Sequence, residues 1–175
     1  MRKHLLVALS LCWICSAGFA FAGDASPFKG RWKLDPARSS SIRPWANITL
    51  EITPKGETFE LKRTLFWTIA KQGTELLVVR PDDHTVTDNP AKYWFDSAYN
   101  NAYIGGDHQQ HVTAGWLDGG RILRLEITLS LEMQQGDYPV HIYREYRLSA
   151  DHNTLKVYEL RSTRDQALTF TYTRA

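Results

Sequence analysis

The stretch of sequence that decides the fold is RILRLEITLSLEMQ, residues 121–134. Every second residue from Leu123 to Met133 is apolar, and the residues between them are Arg, Glu, Thr and Ser. Successive side chains of a β-strand point to opposite faces of the sheet, so this alternation predicts one long strand with a buried face and a wet face. Strands of this kind are typical of antiparallel sheets with one face in solvent.

The same alternation recurs on both sides of this stretch, in runs that short turns separate. The runs are residues 27–35, 47–54, 57–68, 74–80, 109–117, 138–149, 154–163 and 167–174. An open sheet of so many strands would leave two unpaired edges, and closure into a barrel removes them. The sequence therefore predicts an all-β fold, a single antiparallel up-and-down β-barrel of about eight to nine strands with room for a small ligand.

One segment, residues 81–108, lacks this alternation and is rich in aromatic, Asp and Asn residues. Asn89 and Pro90 match the N-cap and the first position of a helix. Apolar residues then recur at spacings of three and four, which predicts one face of a short helix. These residues are Ala91, Trp94, Phe95, Ala98 and Tyr99. We expect this helical insertion to cover one end or side of the barrel, either as a plug or as a lid over a ligand.

The N-terminus has the three parts of a secretory signal peptide. Arg2 and Lys3 come first, an apolar run follows, and the sequence Ala-Phe-Ala ends the segment at Ala22. We expect a signal peptide over residues 1–22 and a single barrel domain over residues 23–175. The protein would then be exported to the periplasm or secreted. Its mature chain has no apolar run long enough to predict a transmembrane segment.

Removal of residues 1–22 changes both the cysteine content and the charge. Cys12 and Cys15 are the two cysteines of the chain, so the mature domain would have no disulfide and would depend on its core. The chain has 21 basic and 19 acidic residues, and the loss of Arg2 and Lys3 leaves 19 of each. This balance does not predict a nucleic-acid partner, which would require a clustered basic excess.

Four short segments resemble a known family. They are GRWKLDPARS at residues 30–39, WLDGGRIL at 116–123, LSADHNTLKV at 148–157 and YTR at 172–174. With this G-x-W-K-L opener, the chain resembles the bacterial exported lipocalin-like (calycin-like) β-barrel proteins. The resemblance implies an up-and-down barrel with an internal cavity. It does not extend to residues 81–108, and His152 and Asn153 replace the usual glycine of the late turn.

The resemblance also implies one structural pair of side chains. In lipocalins, the tryptophan of the opener packs beneath an arginine near the closed end of the barrel. The corresponding residues here are Trp32 and Arg174, which would form a structural cation–π pair.

Three charged residues fall on the apolar side of the strand alternation: Arg63, Arg144 and Glu159. A buried charge is costly unless it is paired, so these residues could form a structural Arg–Glu pair or anchor a ligand. A β-bulge that shifts the phase would instead turn them outward. Because that reversal would expose four large apolar side chains around Arg63, we predict that both arginines face inward. At least one of them should lie near Glu159 or line a cavity.

Four aromatic residues complete the set of candidate ligand-binding residues. Trp67 and Tyr146 share the predicted inward phase of Arg63 and Arg144, and Trp94 and Tyr99 belong to the insertion. The full set is Arg63, Arg144, Glu159, Trp67, Tyr146, Trp94 and Tyr99.

The sequence predicts no catalytic residue, no metal site and no cofactor. It contains no G-x-S-x-G motif, and no cysteine remains after residue 22 to act as a nucleophile. The densest group of histidines comprises His84, His108 and His111, but their spacing is not that of metal ligands. Solvated loop histidines are expected instead.

Two functions from different classes remain open. The preferred one is an exported cell-envelope protein that binds a small apolar or amphipathic ligand in the barrel cavity, which rests on the resemblance of fold. The alternative is a protein-interaction module, such as an envelope inhibitor or immunity protein, that uses its loops and residues 81–108 against a protein partner. An isomerase or cyclase within the same barrel is a third hypothesis.

Overall fold

The computed structural model describes residues 26–41, 43–68, 71–95 and 102–175. The predicted signal peptide lies outside these ranges. The described strands are β1 (Gly30–Leu34), β2 (Asn47–Lys55), β3 (Thr58–Thr68), β4 (Lys71–Val79), β5 (Val86–Pro90), β6 (Tyr93–Trp94), β7 (Ala102–Tyr103), β8 (Gln109–Leu117), β9 (Ile122–Met133), β10 (Gly136–Leu148), β11 (Thr154–Arg161) and β12 (Leu168–Arg174). Two short 3₁₀ helices span Pro36–Arg38 and Asp118–Gly120. Within the described ranges, no helix has the length and apolar character needed to cross a membrane.

Ten of the strands form one antiparallel sheet in the order β4-β3-β2-β1-β12-β11-β10-β9-β8-β5. Strands β1 and β12 join the two ends of the described chain, with Trp32 opposite Arg174. The outermost strands of this order also meet, because Asn89 on β5 hydrogen-bonds to the backbone of Val78 on β4. The sheet therefore wraps into a nearly closed barrel, and the predicted all-β, antiparallel up-and-down fold is confirmed.

Strand β9 is the stretch from which the fold was predicted. Its apolar side chains point into the barrel and are at most 5% exposed: Leu123, Leu125, Ile127, Leu129 and Leu131. The alternation ends at Met133, which is 52% exposed, because the hairpin of β9 and β10 extends past the packed interior. Periodicity of two thus identified the core face correctly over most of the strand.

The strand count is larger than predicted because residues 81–108 contribute to the sheet. Strand β5 pairs with β8 along its whole length, and β6 and β7 form a separate two-stranded ribbon. The predicted helix is wrong for residues 91–95, and its remaining residues lie outside the described ranges. Asn89 does not cap a helix, because its side chain bonds to Val78. Strand β5 lacked a strand pattern because its inward residues, Thr87 and Asn89, are polar.

Candidate functional site: a buried ion-pair cluster

The interior of the barrel holds a group of charged side chains, which we call the central cluster: Arg63, Glu75, Arg144, Glu159 and Arg161. Arg63 on β3 lies directly opposite Glu75 on β4, and Arg144 on β10 lies directly opposite Glu159 on β11. The two pairs come from different parts of the barrel wall and meet inside it. Each of the five residues is at most 7% exposed. The inward orientation of Arg63 and Arg144 agrees with the phase of their strands.

Short contacts join the two pairs into one network. Arg144 donates from Nε to Glu159 Oε2 at 2.6 Å and from Nη1 to Glu75 Oε2 at 3.2 Å. Arg63 places Nε 3.0 Å from the same oxygen of Glu75 and Nη1 4.0 Å from Glu159 Oε2. Arg161 donates from Nε to the other oxygen of Glu159. Both Arg63 and Arg144 therefore contact both carboxylates.

The network keeps its carboxyl groups ionised despite their burial. Burial by itself raises the pKa of Glu159, but the charges of Arg144, Arg161 and Arg63 outweigh it and lower that pKa to about 2. The pKa of Glu75 is also lowered, because Arg63 and Arg144 overcome the cost of burial. Glu159 in turn helps to raise the pKa of Arg144 well above its ordinary value, against the effect of burial. Glu75, Glu159 and Arg144 are therefore charged near neutral pH.

Three nitrogen atoms of the central cluster are buried and have no hydrogen-bond partner among the described residues: Nε and Nη2 of Arg63 and Nη2 of Arg144. Arg63 Nε still lies 3.0 Å from Glu75 Oε2 in an ion pair, which leaves the two Nη2 atoms as the unsatisfied donors. A buried donor that lacks an acceptor costs about 1 to 3 kcal/mol, and more when it carries charge. The two guanidinium groups are neighbours, since both contact Glu75 Oε2. The cluster therefore presents buried N–H donors, on two neighbouring guanidinium groups, that an oxygen-bearing ligand could satisfy.

Two of the predicted aromatic residues adjoin the central cluster. The hydroxyl of Tyr146 accepts a hydrogen bond from Arg144 Nη1 at 3.3 Å, and burial raises the pKa of this tyrosine. Trp94 is 1% exposed, and the guanidinium carbon of Arg161 lies 5.1 Å from the centre of its ring. Its indole Nε1 is also a buried donor without a hydrogen-bond partner in the described ranges. The inserted segment thus packs directly on the cluster.

The structure does not bring the other two predicted aromatic residues to the cluster. Trp67 is 37% exposed, so the prediction that it faces inward is wrong. The pairing of β3 with β4 shifts register between Phe66 and Thr68, and this irregularity breaks the alternation that placed Trp67 inside. Lys71 instead places Nζ 4.9 Å from the centre of the Trp67 ring. Tyr99 lies outside the described residues.

A second packed region of the barrel is built around Trp32, which is fully buried. The guanidinium carbon of Arg174 lies 4.3 Å from the centre of its ring, the arrangement that the resemblance implies. Arg174 also donates to the backbone oxygens of Pro27 and Lys29, both at 2.8 Å. Gly30 allows this packing, because a Cβ there would lie 2.7 Å from Arg174 Nη1 and its φ is 141°. This tryptophan–arginine pair fastens the N-terminal segment across the barrel end.

Sequence reasoning missed two members of the central cluster, Glu75 and Arg161. Each lies on the apolar phase of its own strand, Glu75 with Leu77 and Arg161 with Val157. The strand alternation therefore contained a signal for both residues. In β4 this signal was obscured by Leu76, an apolar residue that points outward and is 47% exposed.

The histidines of the described residues form no metal site. His111 places Nδ1 2.7 Å from Asp88 Oδ1 and Nε2 3.1 Å from Asp107 Oδ2. The hydrogen bond to Asp88 is the main reason that the pKa of His111 is raised. In the described ranges, no group of three or more His, Cys, Asp or Glu side chains could hold a metal ion. His111 therefore acts as a hydrogen-bond partner that links β8 to β5.

The fold and the central cluster define an all-β barrel with a charged interior. Comparison with protein-family models and with curated proteins finds no match. Among solved structures, the chain is similar to the fatty-acid-binding protein isolated from Manduca sexta, with a TM-score of 0.49 and 9% sequence identity. The similarity covers 83% of this chain and 98% of that chain.

Proposed function

We propose that this protein binds a small amphipathic molecule inside the barrel, with an oxygen-bearing head group against Arg63 and Arg144. The observation that carries the proposal is the pair of Nη2 atoms that are buried and have no hydrogen-bond partner among the described residues. A native structure rarely leaves buried charged donors unsatisfied, and such groups call for a missing ligand or water. The head group would supply the acceptors.

The chemistry of the interior favours a carboxylic acid as the probe ligand. A carboxylate offers two oxygens and pairs with guanidinium donors through short, charge-assisted hydrogen bonds. Apart from the cluster, most of the buried side chains are aliphatic or aromatic, which suits a hydrocarbon tail. Tyr146 and Trp94 adjoin the arginines and would contact the ligand near its head group.

The Arg63→Lys variant tests this assignment, because it keeps the positive charge beside Glu75 and removes the Nη2 donors. We expect the affinity for hexadecanoate to fall by about tenfold or more, the size expected for one lost charge-assisted hydrogen bond. Hexadecanol should bind the parent protein more weakly than hexadecanoate, because it brings no charge to the arginines. Titrations followed by tryptophan fluorescence would give these affinities.

The matched control is Arg38→Lys, at an arginine whose side chain is 53% exposed and paired with Asp35. It should leave the affinity unchanged. Native mass spectrometry of protein purified from its own host should also show a retained small molecule. The proposal fails if the parent binds neither probe and is purified without a small molecule.

We further propose that the barrel domain is exported, as the N-terminal sequence predicts. The expected result is cleavage after Ala22, because the residues before it have the charged, apolar and small-residue parts of a signal peptide. Intact-mass measurement of the exported protein should give a chain that begins at Gly23. A membrane-retained product that still carries residues 1–22 would contradict this.

A protein partner is the second candidate, and the observation that favours it lies in residues 81–108. Tyr103 is 50% exposed, and its ring lies 5.0 Å from that of Tyr93. A groove of about 530 Å³ runs beside it and is lined in part by Lys92 and His108. Exposed tyrosines are common at protein interfaces. A retained protein in native mass spectrometry, in place of a small molecule, would favour this candidate.

A further inference from the structure

The barrel wall has one interruption in the part of the chain that the structure describes. Strands β4 and β5 stand at the two ends of the sheet order, so no backbone ladder joins them. Every other contact between neighbouring strands of the ring is a hydrogen-bonded ladder. We call the junction of β4 and β5 the seam.

Within the described residues, one side chain supplies the hydrogen bonds between the two strands of the seam. Asn89 on β5 is 4% exposed and accepts a hydrogen bond from the backbone N–H of Val78 on β4, at 2.6 Å. Its amide nitrogen donates to the backbone oxygen of Val78 at 3.2 Å and to that of Thr87 at 3.1 Å. The carboxamide thus takes the place of a backbone group, satisfying both polar groups of Val78 on the open edge of β4.

The two sides of β5 are held very differently. Toward β8 the strand makes a backbone ladder from Val86 to Pro90, and Asp88 adds a side-chain hydrogen bond with His111 at 2.7 Å. Toward β4 the hydrogen bonds of the seam come from Asn89 alone in the described residues. Opening the seam therefore breaks two side-chain hydrogen bonds, whereas opening any other junction breaks a ladder of backbone bonds.

The seam leads directly to the central cluster. Glu75 lies on β4, three residues before Val78, and its carboxylate contacts both Arg63 and Arg144. The side chains of Arg63, Glu75 and Arg144 are at most 7% exposed, so a ligand can reach the arginines only after part of the wall moves. Displacement of β4 from β5 would uncover Glu75 and the arginines behind it.

We infer that ligands enter the barrel through the seam between β4 and β5, and that Asn89 is the latch that holds this entrance shut. The inference rests on the proposed binding function. It differs from a role in ligand recognition, because a latch governs the rates of entry and exit and leaves the bound contacts unchanged. The N-terminal segment is held separately by Arg174, which donates to the backbone oxygens of Pro27 and Lys29 and stacks on Trp32.

Hydrogen exchange of the parent protein tests the seam without any substitution or ligand. The amide of Val78 points at Asn89, whereas the amide of Ile52 lies on β2, which is paired on both sides. We expect the Val78 amide to exchange at least about tenfold faster than that of Ile52, because local opening is cheaper than global unfolding. Equal protection of both amides would overturn the inference.

The Asn89→Leu variant tests the latch, because leucine fills a similar space and makes no hydrogen bond. Association and dissociation of hexadecanoate, followed by stopped-flow tryptophan fluorescence, should both accelerate by about tenfold, the factor expected for a lost pair of neutral hydrogen bonds. The equilibrium affinity should change by less than about twofold, because a latch affects both rates alike. Exchange at Val78 should rise while exchange at Ile52 stays constant.

Two further variants keep the test decisive. Asn47→Leu is the matched control, since Asn47 also accepts a backbone hydrogen bond, from Ile48 at 2.7 Å, but lies on β2, where it pairs with Phe66 of β3. It should leave both rates unchanged. If Asn89→Leu does not fold, Asn89→Ser replaces it in the test, because the shorter serine side chain cannot reach the backbone of Val78. Parent-like rates in the folded variant would overturn the inference, whereas absence of binding by the parent would overturn the proposed function instead.

Discussion

Replacing Glu159 with glutamine is expected to lower the free energy of unfolding by about 3 to 5 kcal/mol, the range for breaking a buried ion pair by removing one partner. Glu159 is fully buried, and its two oxygens contact Arg63, Arg144 and Arg161. Glutamine keeps the shape of the side chain and removes its charge, so guanidinium groups would remain in the interior without this carboxylate. Chemical denaturation of both proteins at neutral pH measures the difference.

The matched control for this variant is Glu60→Gln. Glu60 pairs with Lys55 on the surface, and the two side chains are 29% and 57% exposed. Surface ion pairs contribute about 0 to 1 kcal/mol, so this change should have little effect. If Glu159→Gln unfolds at the same denaturant concentration as the parent, the central cluster does not stabilise the fold.

Glu159→Gln should also change how the free energy of unfolding depends on pH. The pKa of Glu159 is about 2 in the folded protein, below the ordinary value of 4.5. A carboxyl group with a lowered pKa in the folded state stabilises the protein at pH values above its ordinary pKa. This stabilisation is lost as the pH falls through the pKa of the folded state. The parent should therefore lose stability between about pH 4.5 and pH 2 more steeply than Glu159→Gln. Parallel curves would contradict the ion-pair assignment.

Replacing Trp32 with alanine is expected to lower the free energy of unfolding by about 3 to 5 kcal/mol, the cost of removing a large aromatic side chain from a core. Trp32 is fully buried, donates from Nε1 to the backbone oxygen of Phe28 at 3.1 Å and stacks under Arg174. Its loss would leave a cavity at the fastened end of the barrel. Because its hydrogen bond and ring contact are made to Phe28 and Arg174 and not to the arginines of the central cluster, ligand affinity in the folded variant should not fall specifically.

Trp67→Ala provides the control for the Trp32 prediction, because the same chemical change is made at a residue that is 37% exposed. We expect a loss below about 1 kcal/mol there, since a surface substitution creates no cavity. Equal denaturation midpoints for Trp32→Ala and the parent would show that Trp32 is not structural.

The charged residues show how much of the site can be predicted from strand periodicity. It placed Arg63, Arg144 and Glu159 inside the barrel, because a shift of one residue would expose a row of large apolar side chains. It did not identify Glu75 and Arg161 as their partners, although both lie on the inward phase. The alternation along a strand predicts which face of the sheet a residue occupies. Its ion-pair partner depends instead on which strands lie opposite one another across the interior of the barrel.

The two errors of the sequence-based prediction have local causes. Trp67 points outward because the register shifts between Phe66 and Thr68, and alternation cannot reveal a shift of one residue near a strand end. Strand β5 was predicted as part of a helical insertion because Asn89 and Pro90 resemble a helix start. The side chain of Asn89 is instead used across the seam, with a residue eleven positions earlier in the chain.

The sequence by itself determined the all-β class, the meander of alternating strands and the inward face of most of them, because these depend on contacts between near neighbours in the chain. Only the tertiary structure decided that Arg144 contacts Glu75, 69 residues earlier, and that the side chain of Asn89 joins β5 to β4. Closure of the sheet brings distant strands to within hydrogen-bond distance across the interior. The spacing of residues along one strand does not predict which residues of distant strands lie within that distance.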